Sequence, residues 1–469
     1  MRGGTCKDCH DAHDAVRIRA SPSRIRGRVV NVSVTTTELA AQVSSAHASG
    51  TALRIVGGGS WLNAGRPCEG ETLHVGACAG IVEYVPGDLT LTARAGTTLA
   101  ELNASTAAHG QWLALDPAAD GRATIGATIA TASDGPLAMS MGRVRDLVLG
   151  LECITGTGEV IRAGGRVVKN VAGFDLVRLH TGAWGTLGVI TEVSIRLRAR
   201  PDVDRAYVIG GDARASLESR LAPLVDLPIA PLALELLGSA LAQALDVHDD
   251  MCLLVRLAGN DDRVRAQEAA LQALGDVREV PVSTFDRLST LEPHNAFVAR
   301  ITHEPTRFAD TWRLVSEHLD ASEYWQPLTR GSVTRGLVRV VIPVAEGEGE
   351  PATPVANDGA TRMARAHATS AATTSATRAH ATSTATTSAT RAHATDWPAF
   401  VRGIAPPGAH VAWERLPAEA WEHVPSSVSD KLSMGLRRAL DPAHILNRGL
   451  LGEPDAVQAS VKRQVRRGK

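Results

Sequence analysis

The sequence predicts an α+β chain: a first region that opens on a βαβ unit and continues strand-rich, then a second α/β region that carries a low-complexity insertion. Three observations predict it. Strand-like, helical and strand-like stretches follow one another over residues 28–56, the order of a βαβ unit with its crossover. Strands joined by short turns then run on to Pro201, and from Arg205 strands and helices alternate again. That second alternation is broken where Arg365, Arg378 and Arg391 each open RAHAT in a 13-residue repeat, too polar to bury a stacked core.

Composition bounds the answer. A chain of 469 residues with 44% hydrophobic content is long enough for two or three domains, each with its own core. A net charge of -1 and a pI near 7.0 give no overall field for nucleic acid or a membrane surface. No stretch has the apolar length of a membrane helix and no secretory apolar region opens the chain, so the expected compartment is cytoplasmic. Six cysteines are too few for a disulfide scaffold. Cys6-Lys7-Asp8-Cys9-His10 has the CxxCH form of c-type haem attachment. Without an export signal, a surrounding helical domain or a distal ligand, residues 1–27 are read as a disordered extension, and no metal site is expected.

The elements then come in order. Arg28 to Val34 reads as a strand, and Thr35 with Glu38 makes a capping box for a helix carrying Leu39, Ala40, Val43 and Ala46 on one face. The strand Ala52 to Val56 runs straight into Gly57-Gly58-Gly59-Ser60. Consecutive glycines turn backbone N–H groups toward one point, and Ser60 adds a hydroxyl, an arrangement that suits a pyrophosphate or an ordinary glycine turn. It is neither a Walker loop nor a Rossmann fingerprint. Strands over 81–85 and 89–95 precede a helix that Gly96-Thr97-Thr98 opens and that runs through Leu99, Leu102 and Ala107 to end at Gly110. Ala123 to Ala130 reads as a second loop of small residues, able to lie against a flat ligand or to pack tightly as a helix start. Leu147 to Ile154 and Glu159 to Arg162 flank Thr155-Gly156-Thr157-Gly158 as a hairpin. Lys169 and Asn170 then lead into glycines 182, 185 and 188, which let main chain approach a ligand ahead of the apolar run Leu187 to Leu197.

LRIVGGGSWLNAG, LTARAGTTLAEL, ATIGATIATASDGP, VRDLVLGLECITGTGEV and KNVAGFDLVRLHTGAWGTLGVITEVSIRLRARP stand in one order. Together they resemble the FAD-binding domain of the vanillyl-alcohol oxidase or PCMH type, and more closely the FAD-binding E-type subunit of bacterial glycolate oxidase. The resemblance covers 28–201, with an echo in Asp441-Pro442-Ala443-His444-Ile445-Leu446-Asn447-Arg448-Gly449, where Arg448 replaces the usual proline. It implies a PCMH-type FAD-binding domain of two α/β subdomains followed by an α/β cap domain with the low-complexity insertion. It also implies that Gly57, Gly58, Gly59 and Ser60 cradle the FAD pyrophosphate. Thr124, Gly126 and Thr128 would line the central loop, and Gly185, Thr186, Gly188 and Ile190 would meet the adenosine or pyrophosphate side. Ser60 and Trp61 occupy the place where covalent members carry histidine, so the flavin is expected to be non-covalent.

The domains expected are 28–201 for FAD and 205–345 with 397–452 for the cap, the latter including the C-terminal segment of the FAD domain. The linker is 346–396 and a basic tail covers 453–469. Among cap residues, His294, His303, Arg300 and Arg307 are the side chains of the right kind for a base and a carboxylate clamp. No catalytic residue is assigned, because such residues are more often structural. The related D-type subunit carries GHxGDGNxH, which this sequence lacks. The resemblance therefore implies an FAD-binding subunit working on a small 2-hydroxy acid such as glycolate or D-lactate, with a catalytic FAD subunit and an iron-sulfur subunit as partners. It would need no nucleic acid and no integral membrane segment, and would sit at most peripherally at the inner membrane face through those partners. A self-sufficient 2-hydroxy-acid or alcohol dehydrogenase and a non-catalytic structural subunit are the alternatives.

Overall fold

A computed structural model describes residues 34–119, 121–165, 175–210, 221, 228–320, 326–344 and 397–453. Outside the described residues lie the expected extension over 1–27, the strand before Val34, Lys169 and Asn170, the insertion over 346–396 and the tail beyond Glu453. Between residues 211 and 227 only Leu221 is described.

Thr35 starts the helix Thr36–Ser49 by closing the expected capping box. Its hydroxyl accepts from the Glu38 N–H, and the Glu38 carboxylate accepts from the Thr35 N–H at 2.7 Å. Leu39, Val43 and Ala46 are buried at helical spacing, and Gly50 ends the helix at φ 70°. Thr98 and Glu101 repeat the device on the helix Leu99–Ala107. These helices pack on the strands β1 (Leu53–Val56), β2 (Glu71–His74), β3 (Ile81–Val85), β4 (Thr90–Arg94), β5 (Gln111–Trp112), β6 (Val148–Ile154), β7 (Val160–Gly164), β8 (Val189–Arg196) and β9 (Arg198–Ala199).

β1 pairs in parallel with β2 along one edge. Along its other edge lies the C-terminal segment: the Leu53 N–H donates to Ile445 O at 2.7 Å, and the Asn447 N–H donates to Leu53 O at 2.9 Å. A separate antiparallel sheet takes the order β3-β4-β8-β6-β7, with buried Val189, Val193 and Ile195 at its centre. Glu152 of β6 is buried there, accepting from Thr36 at 2.9 Å and Thr191 at 2.8 Å and pairing with Arg162, so the first helix is bolted to the sheet. The stretch expected as a loop of small residues differs: Ile125–Thr131 is a helix, N-capped by Thr124. Tertiary packing outweighs weak propensity here, since a Cβ on Gly126 would stand 2.6 Å from the Ala95 Cβ.

The second region is built on β10 (Val203–Ile209), β11 (Ala233–Leu237), β12 (Cys252–Gly259), β13 (Val277–Val280), β14 (Ala296–Thr302), β15 (Leu328–Ser332), β16 (Leu337–Pro343) and β17 (His410–Arg415). They form one sheet in the order β13-β10-β12-β11-β15-β16-β14-β17, with every pair antiparallel. Alternation sorts the faces. Leu234, Leu236, Val255, Ile301, Val338 and Val340 bury against helices Asp261–Gln272 and Phe308–Asp320. Glu235, Arg256, Arg300, Arg330 and Arg339 alternate with them, and so take the opposite face.

That charged face meets the first region. Arg335 pairs with Asp134 at 3.2 Å and donates to Gly135 O, while the Ser140 hydroxyl donates to Leu232 O at 2.7 Å. Arg256 lies over the Trp112 ring at 5.7 Å. Further along, the Gly65 N–H donates to Glu414 O at 2.8 Å, and Asn63 donates to His294 O.

Candidate functional site

A cleft open to solvent lies where β1, the helix Ile125–Thr131 and the glycine turn before β8 converge. Its first wall is the run after β1. A Cβ on Gly57 would stand 2.7 Å from Thr124 Oγ1, and one on Gly58 would stand 1.9 Å from Arg122 O. Gly57 is thus pressed against the Thr124 side chain and Gly58 against the Arg122 main chain, approaches a Cβ would block, and Gly59 completes the bend at φ 81°. The second wall is Thr124, Gly126, Ala127, Ala130 and Thr131 of the helix.

The third wall is the turn 182–188, docked on the end of that helix: the Gly182 N–H donates to Ile129 O at 3.0 Å and the Trp184 N–H to Ala130 O at 2.7 Å. Trp184 is held at φ 54°, a left-handed conformation costly for a bulky residue. Asn447 enforces it. Its amide donates to Trp184 O at 2.8 Å and accepts from the Ile55 N–H at 2.8 Å, so one side chain ties two walls together. Leu450 of the same segment closes the rim.

Among the described residues the lining contains one formal charge, Arg54, whose guanidinium donates to Cys68 O at 2.8 Å. Two buried groups at the cleft, the Ser60 hydroxyl and the Trp61 indole N–H, have no hydrogen-bond partner among the described residues. Unmet buried donors cost about 1–3 kcal/mol each, so their persistence marks a place for ligand acceptors.

The expected cofactor residues divide into two groups. Gly57, Gly59, Ser60, Thr124, Gly126, Gly185, Gly188 and Ile190 line the cleft. Gly58 shapes it by packing on Arg122. Thr128 and Thr186 stand behind the walls, their hydroxyls donating to Thr124 O at 3.0 Å and Ala183 O at 2.7 Å. Arg54, Trp61, Trp184 and Asn447 were not assigned from sequence; Asn447 lay within the C-terminal echo, which was its only signal.

The histidines and arginines considered for a base and clamp do not converge on the cleft. His294 is exposed, and His303 Nδ1 accepts from the Glu304 N–H at 2.7 Å. Arg300 pairs with Glu414 at 2.6 Å, and exposed Arg307 with Asp310. Among the described residues no group of three His, Cys, Asp or Glu side chains is placed to hold a metal ion, and no helix is long and apolar enough to cross a membrane.

Behind Gly188, His180 is buried, with Nε2 3.4 Å from Cys153 Sγ, and a Cβ on Gly188 would stand 2.9 Å from its ring. Burial pushes His180 down to about 4 and the Cys153 thiol up to about 12, so both are neutral at pH 7. The unfolded chain takes up a proton near pH 6.5 that the folded chain refuses until about 4. Stability is therefore full above 6.5 and falls as pH drops toward 4. At pH 5 the loss is expected to be about 2 kcal/mol. Urea unfolding of wild type and His180→Phe at pH 7 and pH 5 measures it, and an equal loss in both proteins would remove His180 as the cause.

Residues 28–164 match the FAD binding domain family. The chain belongs to the PCMH-type FAD-binding oxidoreductases. Within that class it is 36% identical over 258 residues to glycolate oxidase subunit GlcE of Escherichia coli (strain K12), covering 53% of this chain and 70% of the relative. Shorter likenesses reach glycolate oxidase subunit GlcD of Bacillus subtilis (strain 168), 31% over 34% of this chain and 33% of the relative. They also reach the mitochondrial D-lactate dehydrogenase [cytochrome] of Arabidopsis thaliana, 39% over 24% of this chain and 20% of the relative. Among solved structures an alkyldihydroxyacetonephosphate synthase aligns over 88% of this chain and 74% of its own, with a TM-score of 0.57 and 16% identity, a likeness of fold. The cleft fits FAD on its own terms: a bare-backbone glycine wall, a cation and two unpartnered donors suit a long ligand with a pyrophosphate at its middle.

Proposed function

We propose that this chain is the FAD-binding subunit of a glycolate oxidase-like complex that oxidises a small 2-hydroxy acid and passes the electrons to an iron-sulfur partner. The observation that carries the reading is the pair of buried, unpartnered donors on Ser60 and Trp61 beside the glycine run, in a chain related to GlcE over most of that relative's length. In this reading the N–H groups of Gly57–Gly59 and the Ser60 hydroxyl hold the pyrophosphate, with Arg54 as counter-charge. Thr124 and Gly126 form the middle wall, and Gly185, Gly188 and Ile190 take the adenosine side. Thr128 and Thr186 hold those walls in shape.

When bound, FAD supplies the two-electron acceptor that turns a 2-hydroxy acid into a 2-oxo acid. The chain's own part is to bind and orient it. Arg300 and Arg339 are committed to Glu414 and Glu292, and the two cap histidines do not meet at the cleft, which favours a base supplied by a partner subunit over a self-sufficient enzyme. The flavin is held without a covalent bond, and the complex sits in the cytoplasm, at most peripheral to the inner membrane face.

The purified chain is expected to be yellow, to release its flavin on acid precipitation, and to keep its spectrum when glycolate or D-lactate is added anaerobically. Bleaching is expected once the catalytic and iron-sulfur subunits are present. Protein that stays colourless with excess FAD would overturn the flavin assignment. Bleaching of the chain alone would establish the self-sufficient dehydrogenase instead, and no bleaching with partners the structural subunit.

A further inference from the structure

The loop that follows the glycine run brings Ser60, Trp61, Leu62, Ala64 and Cys68 to the cleft, and it is held from two sides. From β1, Arg54 donates to Cys68 O at 2.8 Å and to Leu62 O. From the second region the grip is wider. The Gly65 N–H donates to Glu414 O of β17 at 2.8 Å, and the Asn63 amide donates to His294 O. Arg66 adds the most: its guanidinium donates to Trp421 O at 2.6 Å and to Val424 O, and lies 5.3 Å from the centre of the Trp421 ring.

The contact is close and made largely to main chain. Gly65 sits at φ 79°, where a Cβ would stand 2.7 Å from Leu450 Cδ1, and a Cβ on Gly452 would stand 2.5 Å from Arg66 Nε. Trp421 is buried on the short helix Ala418–His423, so the carbonyl that Arg66 reaches is fixed in place. Charge-assisted bonds of this kind are roughly twice as strong as neutral ones. Among the described residues, neither Arg66 nor any part of 410–424 lines the cleft. Their route to it runs along the loop, to Ser60 and Trp61 and the two buried donors that have no partner.

We propose that Arg66 is a positioning residue of the cofactor cleft: by fastening the loop to the 410–424 segment it holds Ser60 and Trp61 where the ligand meets them, so that cofactor binding and the seating of that segment favour each other. The proposal rests on the cleft being the FAD site. Such coupling is reciprocal. The factor by which a seated segment tightens FAD is the factor by which FAD keeps the segment seated, and two readouts therefore report one quantity.

The experiment measures the FAD dissociation constant and, at saturating FAD, hydrogen exchange in 410–424, in the helix Ile125–Thr131 and in the helix Asp261–Gln272 on the other face of the second sheet. In the wild-type chain FAD is expected to slow exchange in Ile125–Thr131 by direct contact and in 410–424, about tenfold, through the loop. Asp261–Gln272 is expected to be unchanged. Arg66→Met keeps the apolar stem but loses both bonds, and is expected to bind FAD about tenfold more weakly and to show protection of Ile125–Thr131 alone. Arg66→Lys returns one donor group and is expected to recover part of both effects. A purely structural role would speed exchange in 410–424 of Arg66→Met and leave the slowing by FAD in place, which would overturn the proposal. Wild-type protection confined to Ile125–Thr131, or spread equally to Asp261–Gln272, would overturn it too, and that result stands even where Arg66→Met fails to fold. No protection in any stretch would sink the flavin site itself, an outcome distinguishable from the others.

Discussion

Gly58→Val purifies without flavin and stays colourless after incubation with excess FAD. The added Cβ falls 1.9 Å from Arg122 O and 3.3 Å from Thr124 Cγ2. The first of these is backbone, so no rotamer change relieves it, and the glycine run has to lift off the helix Ile125–Thr131 that forms the cleft's second wall. Loss of the pyrophosphate donors then costs most of the binding free energy, an expected fall in affinity of at least a hundredfold, about 2.7 kcal/mol. The contrast is Gly87→Val, where nothing lies within 4 Å of the added Cβ and the flavin content is expected to match wild type. Flavin absorbance per polypeptide decides between them, and normal stoichiometry in Gly58→Val would remove the glycine run from the site.

Asn447→Leu is expected to destabilise the fold by about 4 kcal/mol and to weaken FAD at least tenfold. Leucine has nearly the same size but strips partners from the Ile55 N–H and the Trp184 carbonyl, leaving two part-buried backbone groups unpaired. It must also adopt φ 41°, a left-handed conformation that costs leucine more than asparagine. Denaturant unfolding with an unchanged m-value, together with FAD titration, measures both effects. A loss below about 1 kcal/mol would mean that the clip is dispensable.

Much of this was legible in the chain. Thr35 with Glu38, the glycine run and the hairpin at Thr155–Gly158 announce themselves because each rests on short-range chemistry: a cap, a missing Cβ, a turn. The helix Ile125–Thr131 was less legible, since alternating glycine, threonine and isoleucine read equally as loop, and its decision comes from packing on Ala95. β11 and β15 went unread for opposite reasons. ALELL is buried along its whole length and carries no period-2 pattern, while LTRGS looks like a polar turn. At the site, Arg54 and Trp61 stand beside residues that were assigned, yet nothing local distinguishes a cleft-lining arginine from a surface one.

Asn447 bonds to Ile55, 392 residues earlier in the chain, and this has a consequence for biosynthesis. Contacts so distant form late, after the cost of closing the intervening loop has been met. A nascent chain whose segment around Asn447 has not yet emerged from the ribosome leaves one edge of β1 open and the Trp184 turn unsecured. The pocket matures only after that segment emerges, so FAD is expected to be taken up after it and not before, and a message truncated before Asp441 is expected to yield a product unable to hold the cofactor.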